Sequence, residues 1–304
     1  RLDTAPAAYH LGYVLGPRIN AGGRVGQADL GARLLSTADP HEADALAERL
    51  ETLNTERREI EAAVLATAFE QAETRGFDAP LVWAAGEGWH PGVVGIVAAR
   101  LKEAANRPAI VIGVENGVGK GSGRSISGID LGAPIQRLAM EGTITKGGGH
   151  KMAAGLTVEE QAIPAAMERL GMLLNQQGAG ARGAADLRLD GVVMPEAVSV
   201  DLLNQIDSVG PFGAGAPGPR FAMPDMHIFH ARRVGESHLK VSFGALDGRR
   251  MDGIAFGAFS NSTLGSSLES AQGSRAHFAG RLDLNVFRGR TSVQMIIEDA
   301  AIPE

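Results

Sequence analysis

The hydrophobic period of this chain changes once, at "GAGARGAA" (178–185). Before that stretch, apolar residues recur at helical intervals or in short continuous runs. After it they alternate: "HLKVSFGAL", "MDGIAFGAF", "RAHFAGRLDLNVF" and "TSVQMIIEDA" send every second side chain to one face, with "FRGR" as a hairpin turn. Helical stripes and half-buried strands bury their apolar faces in different layer arrangements. The chain is therefore expected to form two bodies joined by a glycine- and alanine-rich linker. Its 304 residues suffice for both.

In the first body, residues 1–38 read as helical and glycine-interrupted. "TADPHEAD" then offers Asp39 as N-cap, Pro40 at the first helical position and Glu42 for a capping box. Leu46, Leu50, Leu53, Ile60 and Val64 recur at spacings that keep one helical face, predicting a single helix to about Arg75. At 1.5 Å per residue it runs roughly 50 Å, the length of a strut between bodies. Next come short apolar strands, "LVWAA" (81–85) and "AIVIGV" (109–114), with a helix from "HPGVVG" between them. "GKGSGRSISG" reads as a strand, 130–141 as a helix, and "EEQAIPAAMERLGMLLNQQ" as a closing amphipathic helix. In the second body, "DLRLDG" reads as a strand leading to a turn, bringing Asp186 and Asp190 to one face. A helix over 195–208 precedes "GPFGAGAPGPRF". The alternating strands fit a small antiparallel barrel and a sandwich equally well; the alternation does not choose.

Composition narrows the function classes. Net charge is −6, so no global basic field advertises nucleic acid, and such a role would rest on local arginine clusters. No cysteine is present, which excludes disulfides and thiolate metal sites. No signal peptide and no membrane-length apolar run is visible, and a cytoplasmic chain is expected. The first residue is Arg1 rather than methionine, as expected of a piece of something longer.

Three stretches join arginine or histidine to glycine or serine: Arg18 to Arg24, Ser122 to Ser125, and Gly147 to His150 in "TKGGGHKMAAG". Backbone N–H groups, hydroxyls and guanidinium forks together suit a phosphate. Ser122 and Arg124, two apart in a strand, share a face. Glycines 147–149 fit either a ligand pressed against bare backbone or a tight turn beneath a packed helix. "GVGKGSG" is not a P-loop: Val114 stands where the first glycine should be, and Gly121 follows Lys120 in place of a hydroxyl residue. No metal-ligating motif and no nucleophile elbow is present. These residues alone indicate a phosphate-binding α/β domain plus a β-rich module.

Taken in order, "PRINAGGR" (17–24), "WHPGVVGIVAARL" (89–101), "GSGRS" (121–125), "GGGHKMAAG" (147–155), "GPFGAGAP" (210–217), "HLKV" (238–241) and "LNVFRGRTSVQMIIED" (284–299) resemble the RecJ family, 5′→3′ exonucleases specific for single-stranded DNA within the DHH phosphoesterase superfamily. The resemblance implies an α/β chain: the end of a DHH catalytic domain over 1–38, a long connecting helix over 39–78, a DHH-associated domain with a mixed sheet over 79–177, a linker over 178–185, and a mostly-β OB-like domain over 186–304. It implies that His150 contacts the phosphate near the scissile bond. Gly147, Gly148 and Gly149 would let the DNA backbone approach, and Ser122, Arg124 and Arg18 or Arg24 would hold a 5′ phosphate. Arg232, Arg233, Lys240, Arg249, Arg250, Arg288 and Arg290 would serve the OB-like domain in tracking single-stranded DNA. Manganese or magnesium would be held by the intact protein through DHH-domain ligands that no residue here matches, and this chain alone would be inactive. A helicase and a single-strand-binding protein are the partners the family suggests.

Two departures stand out: Gly22 where alanine is usual, and Ala216 where asparagine is usual, which removes a turn-locking side chain. Two other readings carry their own discriminators. A non-catalytic single-strand-binding relative would lack D-H-H and paired aspartates upstream. A phosphodiesterase for oligonucleotides or cyclic dinucleotides would bind dinucleotides in competition with long strands, and such enzymes usually lack a module like 186–304.

Overall fold

The structure is a computed structural model and describes residues 8–181, 187–213, 215–246, 248–260, 263–287 and 289–303. Arg288, Asp186, residues 1–7 and most of the expected linker (182–185) lie outside the described residues. The chain divides into two compact units, Arg1–Ala185 and Asp186–Glu304. Among the described residues no helix is long and apolar enough to cross a membrane.

Unit 1 opens with a π-helical turn, His10–Leu15, leading into α1 (Gly16–Val25) and α2 (Leu30–Ser36). The long helix α3 (Pro40–Arg75) starts where the cap predicts, with the Asp39 carboxylate accepting from the His41 N–H at 2.9 Å. The expected capping box does not form. Glu42 is drawn instead to the Thr37 hydroxyl (2.6 Å) and to Arg33 (2.8 Å), and the Asp39 N–H donates to Thr37 Oγ1. A guanidinium and a hydroxyl together hold the carboxylate, and the backbone N–H that it would have capped is already taken by Thr37. The apolar stripe of α3 serves two clusters in succession. Leu46, Leu50 and Leu53 pack on Ala21 and Leu30, whereas Val64, Ala68 and Ala72 pack on the sheet and the next helix.

The remaining elements of unit 1 are β1 (Val82–Glu87), α4 (Pro91–Ala105), β2 (Ala109–Glu115), β3 (Val118–Arg124), α5 (Gly132–Met140), β4 (Lys146–His150), β5 (Ala153–Glu159) and α6 (Ile163–Asn175). The sheet order is β1-β2-β3-β5-β4, with β1 parallel to β2 and every other pair antiparallel. Ile110 and Ile112 bury one face of β2 against α5 and α6, while Val111 faces α3 and α4. Ala154, Leu156 and Val158 bury the α5–α6 face of β5. No residue of β5 or β4 belongs to the cluster beneath α3 and α4. Among the described residues, that half of the sheet is covered by a hydrophobic cluster on one side only. The strand β4 goes unrecognised in the sequence because "KGGGH" has almost no strand propensity.

Unit 2 contains β6 (Gly191–Val192), α7 (Val200–Ser208), β7 (Phe221–Val234), β8 (His238–Gly244), β9 (Arg250–Ala255), α8 (Leu264–Ser270), β10 (Arg275–Phe287) and β11 (Arg290–Ala301). Strands β7-β8-β9-β11-β10 are neighbours in that order, and β10 pairs back onto β7 to close a five-stranded barrel of OB type. The barrel is not wholly antiparallel: β11 runs parallel to β9, and the short β6 lies parallel to β7. Phe243 and Phe278 stack at its centre, with ring centroids 4.2 Å apart.

Several expectations need correction. The longest strand, β7, escapes the alternation rule because Pro224 and a positive φ (58°) at Asp225 interrupt it, and its register with β10 shifts nearby. The segment "DLRLDG" is not a strand in its described residues, 187–191; only Gly191 enters one, β6. The helix expected over 195–208 begins at Val200, after Ser199 caps it by accepting from the Leu202 N–H, and Pro195–Ala197 forms a separate 3-10 turn. Strand β9 stops at Ala255, before "FGAF". At Ala216 the turn is closed by backbone, with Gly213 and Ala216 exchanging N–H···O bonds of 2.9 and 3.2 Å.

Candidate phosphate-binding site

Strand register brings the glycine- and arginine-rich motifs of unit 1 onto one face of one sheet. Ser122 pairs with Gly155, which pairs with Gly148; in the adjoining row Arg124 pairs with Ala153, which pairs with His150. Cross-strand partners point to the same face, and residues two apart along a strand do too. All six therefore lie on the side where α4 covers β3 and leaves β5 and β4 open.

At the β3 edge of this floor, Arg124 Nη1 donates to Ser122 Oγ at 3.0 Å and to the Gly123 carbonyl at 2.8 Å. The serine oxygen accepts that bond, so its own proton is free to donate outward. Helix α4 rests directly on the pair. A Cβ on Gly95 would lie 3.0 Å from both Arg124 Nη2 and Ser122 Oγ. His90 caps α4, its Nδ1 accepting from the Gly92 N–H at 3.0 Å. Arg24, in the last turn of α1, reaches the same place and donates to the Gly92 carbonyl at 3.1 Å. A Cβ on Gly92 would meet the Arg24 carbonyl oxygen at 2.0 Å, so α1 and α4 touch through bare backbone. Burial lowers the pKa of Arg124 from its usual value, and the neighbouring charge of Arg24 lowers it further. Neither arginine has a carboxylate partner among the described residues. Arg18, by contrast, forms an ion pair with Glu51 and donates to the Val14 carbonyl.

The three glycines of β4 differ from one another. A Cβ on Gly147 would strike Ile135 Cγ2 and Ile144 Cδ1 at 2.6 and 2.7 Å, so that glycine serves packing under α5. Gly149 adopts φ 152°, and a Cβ there would fall 2.4 Å from the Ala153 oxygen. A Cβ on Gly148 would meet nothing within 4 Å among the described residues. Packing under the helix and backbone conformation account for Gly147 and Gly149, whereas a Cβ on the middle glycine would face open space beside exposed Gly155. His150 ends β4 and is exposed. It stands two strand spacings from Arg124, about 10 Å.

Sequence reasoning quotes Gly92, Gly95 and Gly155 within their motifs but gives them no individual role, because their roles become informative only when the packing is known. It missed Lys120 and Lys146 as members of this face. Alternation from Ser122 back to Lys120 would have found the first; the second needs the register of β4.

In unit 2, Lys240 is engaged by Asp252 at 2.8 Å. Arg233 lies over the ring of Phe259 and Arg250 over that of Phe229, at 3.7 and 3.8 Å from the centroids. Arg249 donates to the Val198 carbonyl. Arg232 and Arg290 are exposed. Among the described residues no three histidine or carboxylate side chains come together as a metal site.

These motifs and folds have known counterparts. A model of the DHHA1 domain matches residues 78–176, and one of the RecJ OB domain matches 189–299. The single-stranded-DNA-specific exonuclease RecJ of Dickeya dadantii is 37% identical over 299 residues, covering 96% of this chain and 51% of the relative. The chain belongs to the RecJ family. RecJ of Escherichia coli is 36% identical over 305 residues, with 96% of this chain and 51% of that protein covered. The crystal structure of RecJ in complex with Mn2+ from Thermus thermophilus superposes with a TM-score of 0.79 at 28% identity, covering 99% of this chain and 43% of that one. A Mg2+ complex from the same organism gives a TM-score of 0.78. The chain spans about half the length of the curated RecJ relatives it matches.

Proposed function

We propose that this chain is the substrate-gripping part of a 5′→3′ single-stranded-DNA exonuclease, with a 5′-phosphate pocket in unit 1 and a single-strand-binding barrel in unit 2. The observation that supports the reading is the convergence of Arg24, Arg124 and Ser122 beside α4, with no carboxylate among the described residues to neutralise them. Two guanidinium groups held together repel one another. A phosphate offsets that cost and takes two forks and a hydroxyl donor at once.

With the terminal phosphate held there, the next phosphate passes over the Gly148–Gly155 floor toward His150. Backbone can approach it closely on that floor, and the imidazole offers a hydrogen bond near the bond to be cut. Arg18 would contribute only by leaving Glu51. The relatives' names support hydrolysis of single-stranded DNA, and the Mn2+ and Mg2+ complexes support a divalent ion for it. The described residues hold no ligand set for one, so the ion is assigned to the longer protein, and the chain alone binds without cutting. In the barrel, the exposed arginines and the arginine–aromatic pairs would supply phosphate and base contacts.

Fluorescence anisotropy tests the reading. The chain should bind a single-stranded oligonucleotide more tightly than the same length of duplex, with affinity falling steeply as salt rises. Equal binding of duplex and single strand, or an affinity that salt leaves unchanged, would refute it.

A further inference from the structure

The open half of the sheet extends one row beyond the pocket. Lys120 on β3 pairs with Thr157 on β5, and Thr157 pairs with Lys146 on β4. This row lies two residues along from Ser122, Gly155 and Gly148 and faces the same way. The opposite face confirms the alternation, because Cβ atoms at Gly119 and Gly147 would collide with Ile112 and Ile135 of the buried core. Both lysines are exposed, and neither forms an ion pair among the described residues. Two carboxylates, Glu115 of β2 and Glu159 of β5, flank Val118 on that face and close it off at the next row.

We propose that Lys120, Thr157 and Lys146 form a second phosphate subsite, which takes an internucleotide phosphate of the strand whose 5′ end sits at Arg24, Ser122 and Arg124. The inference rests on that reading of the pocket. Two residues of strand cover about 6.8 Å, close to the repeat of an extended sugar–phosphate chain. The two ammonium groups flank a hydroxyl donor over a floor that carries no side chain at Gly148 or Gly155. Lysine suits this role, since a point charge on a flexible stem follows an internucleotide phosphate whose orientation varies with the base above it.

The test measures affinity for 5′-phosphorylated and 5′-hydroxyl oligonucleotides across a salt series, comparing the parent chain with Lys120→Ala/Lys146→Ala, Lys120→Arg/Lys146→Arg and Arg124→Ala. The alanine pair should flatten the slope of log affinity against log salt by about 0.7, the contribution of one single-strand phosphate. It should leave the ratio between the two oligonucleotides unchanged, and the arginine pair should keep the parental slope. An unchanged slope in the alanine pair overturns the subsite. A lost end preference in that pair overturns it as well, by making the lysines part of the terminal pocket. If Arg124→Ala also leaves the end preference intact, the pocket itself fails and the subsite with it.

Discussion

Gly148→Ala separates what the fold needs from what the substrate needs. Nothing lies within 4 Å of a Cβ at this position, and its φ is not positive. Alanine in a strand should therefore stabilise unit 1 by about 0.5–1 kcal/mol relative to glycine, through the lower entropy of the unfolded chain. For a body of this size that raises Tm by roughly 1–4 °C. The same methyl group projects onto the floor over which the second phosphate is proposed to pass. Holding a phosphate back by about one methyl radius removes a close backbone contact, and we expect affinity for single-stranded DNA to fall roughly tenfold, or about 1.4 kcal/mol. The neighbouring glycine gives the contrast. Gly147→Ala drives a Cβ to 2.6 Å from Ile135 and 2.7 Å from Ile144, both buried. Overpacking of that kind costs about 1–3 kcal/mol, or roughly 2–12 °C of Tm. Calorimetry and anisotropy on the two variants read both quantities. A Gly148→Ala chain that binds as tightly as the parent would refute the argument, as would one that unfolds earlier.

Three further outcomes are expected from the geometry. Glu141 is held at about 2, below its usual 4.5, first by its bonds from Arg169 (2.7 and 3.0 Å) and then by Arg137 (2.8 Å). A depressed carboxylate adds stability above its unfolded pKa and loses it as pH falls through the folded one. An acid titration followed by circular dichroism should therefore show the parent losing stability between about pH 4.5 and 2 more steeply than Glu141→Gln. Asp252→Asn should free Lys240 and raise single-strand affinity by about 1.5- to 5-fold, the range of an exposed ion pair, as read by anisotropy. Phe278→Ala removes one of the two stacked rings at the barrel centre and should cost unit 2 about 3–5 kcal/mol in urea unfolding.

Much of this architecture is legible in the sequence, for reasons that are local. Asp39, Pro40 and a run of leucines define α3 without reference to anything else, and alternation from His238 to Phe243 defines β8. What stays hidden depends on partners remote in the chain. Thr37 and Arg33 take Glu42 away from its capping box, and nothing within α3 announces that. Strand β4 exists because β5 supplies the hydrogen bonds that its glycines cannot favour by propensity. Pro224 and Asp225 disguise β7, whose pairing with β10 closes the barrel.

The candidate site divides in the same way. Ser122 and Arg124 are placed together by alternation alone. Choosing Arg24 over Arg18 requires seeing Glu51 across α3 and Gly92 at the start of α4. Lys146 enters only through the β4–β5 register.

The central claim is that Arg24 and Arg124 jointly hold a 5′ phosphate. Its most direct test is a double-mutant cycle, in which the preference for a 5′-phosphorylated over a 5′-hydroxyl single strand is measured for the parent, Arg24→Ala, Arg124→Ala and the double variant. The account predicts a clear preference in the parent, its loss in each single variant and little further loss in the double, because the two guanidinium groups act on one ligand. Equal affinity of the parent for both ends, or a preference that survives the double variant, would contradict it.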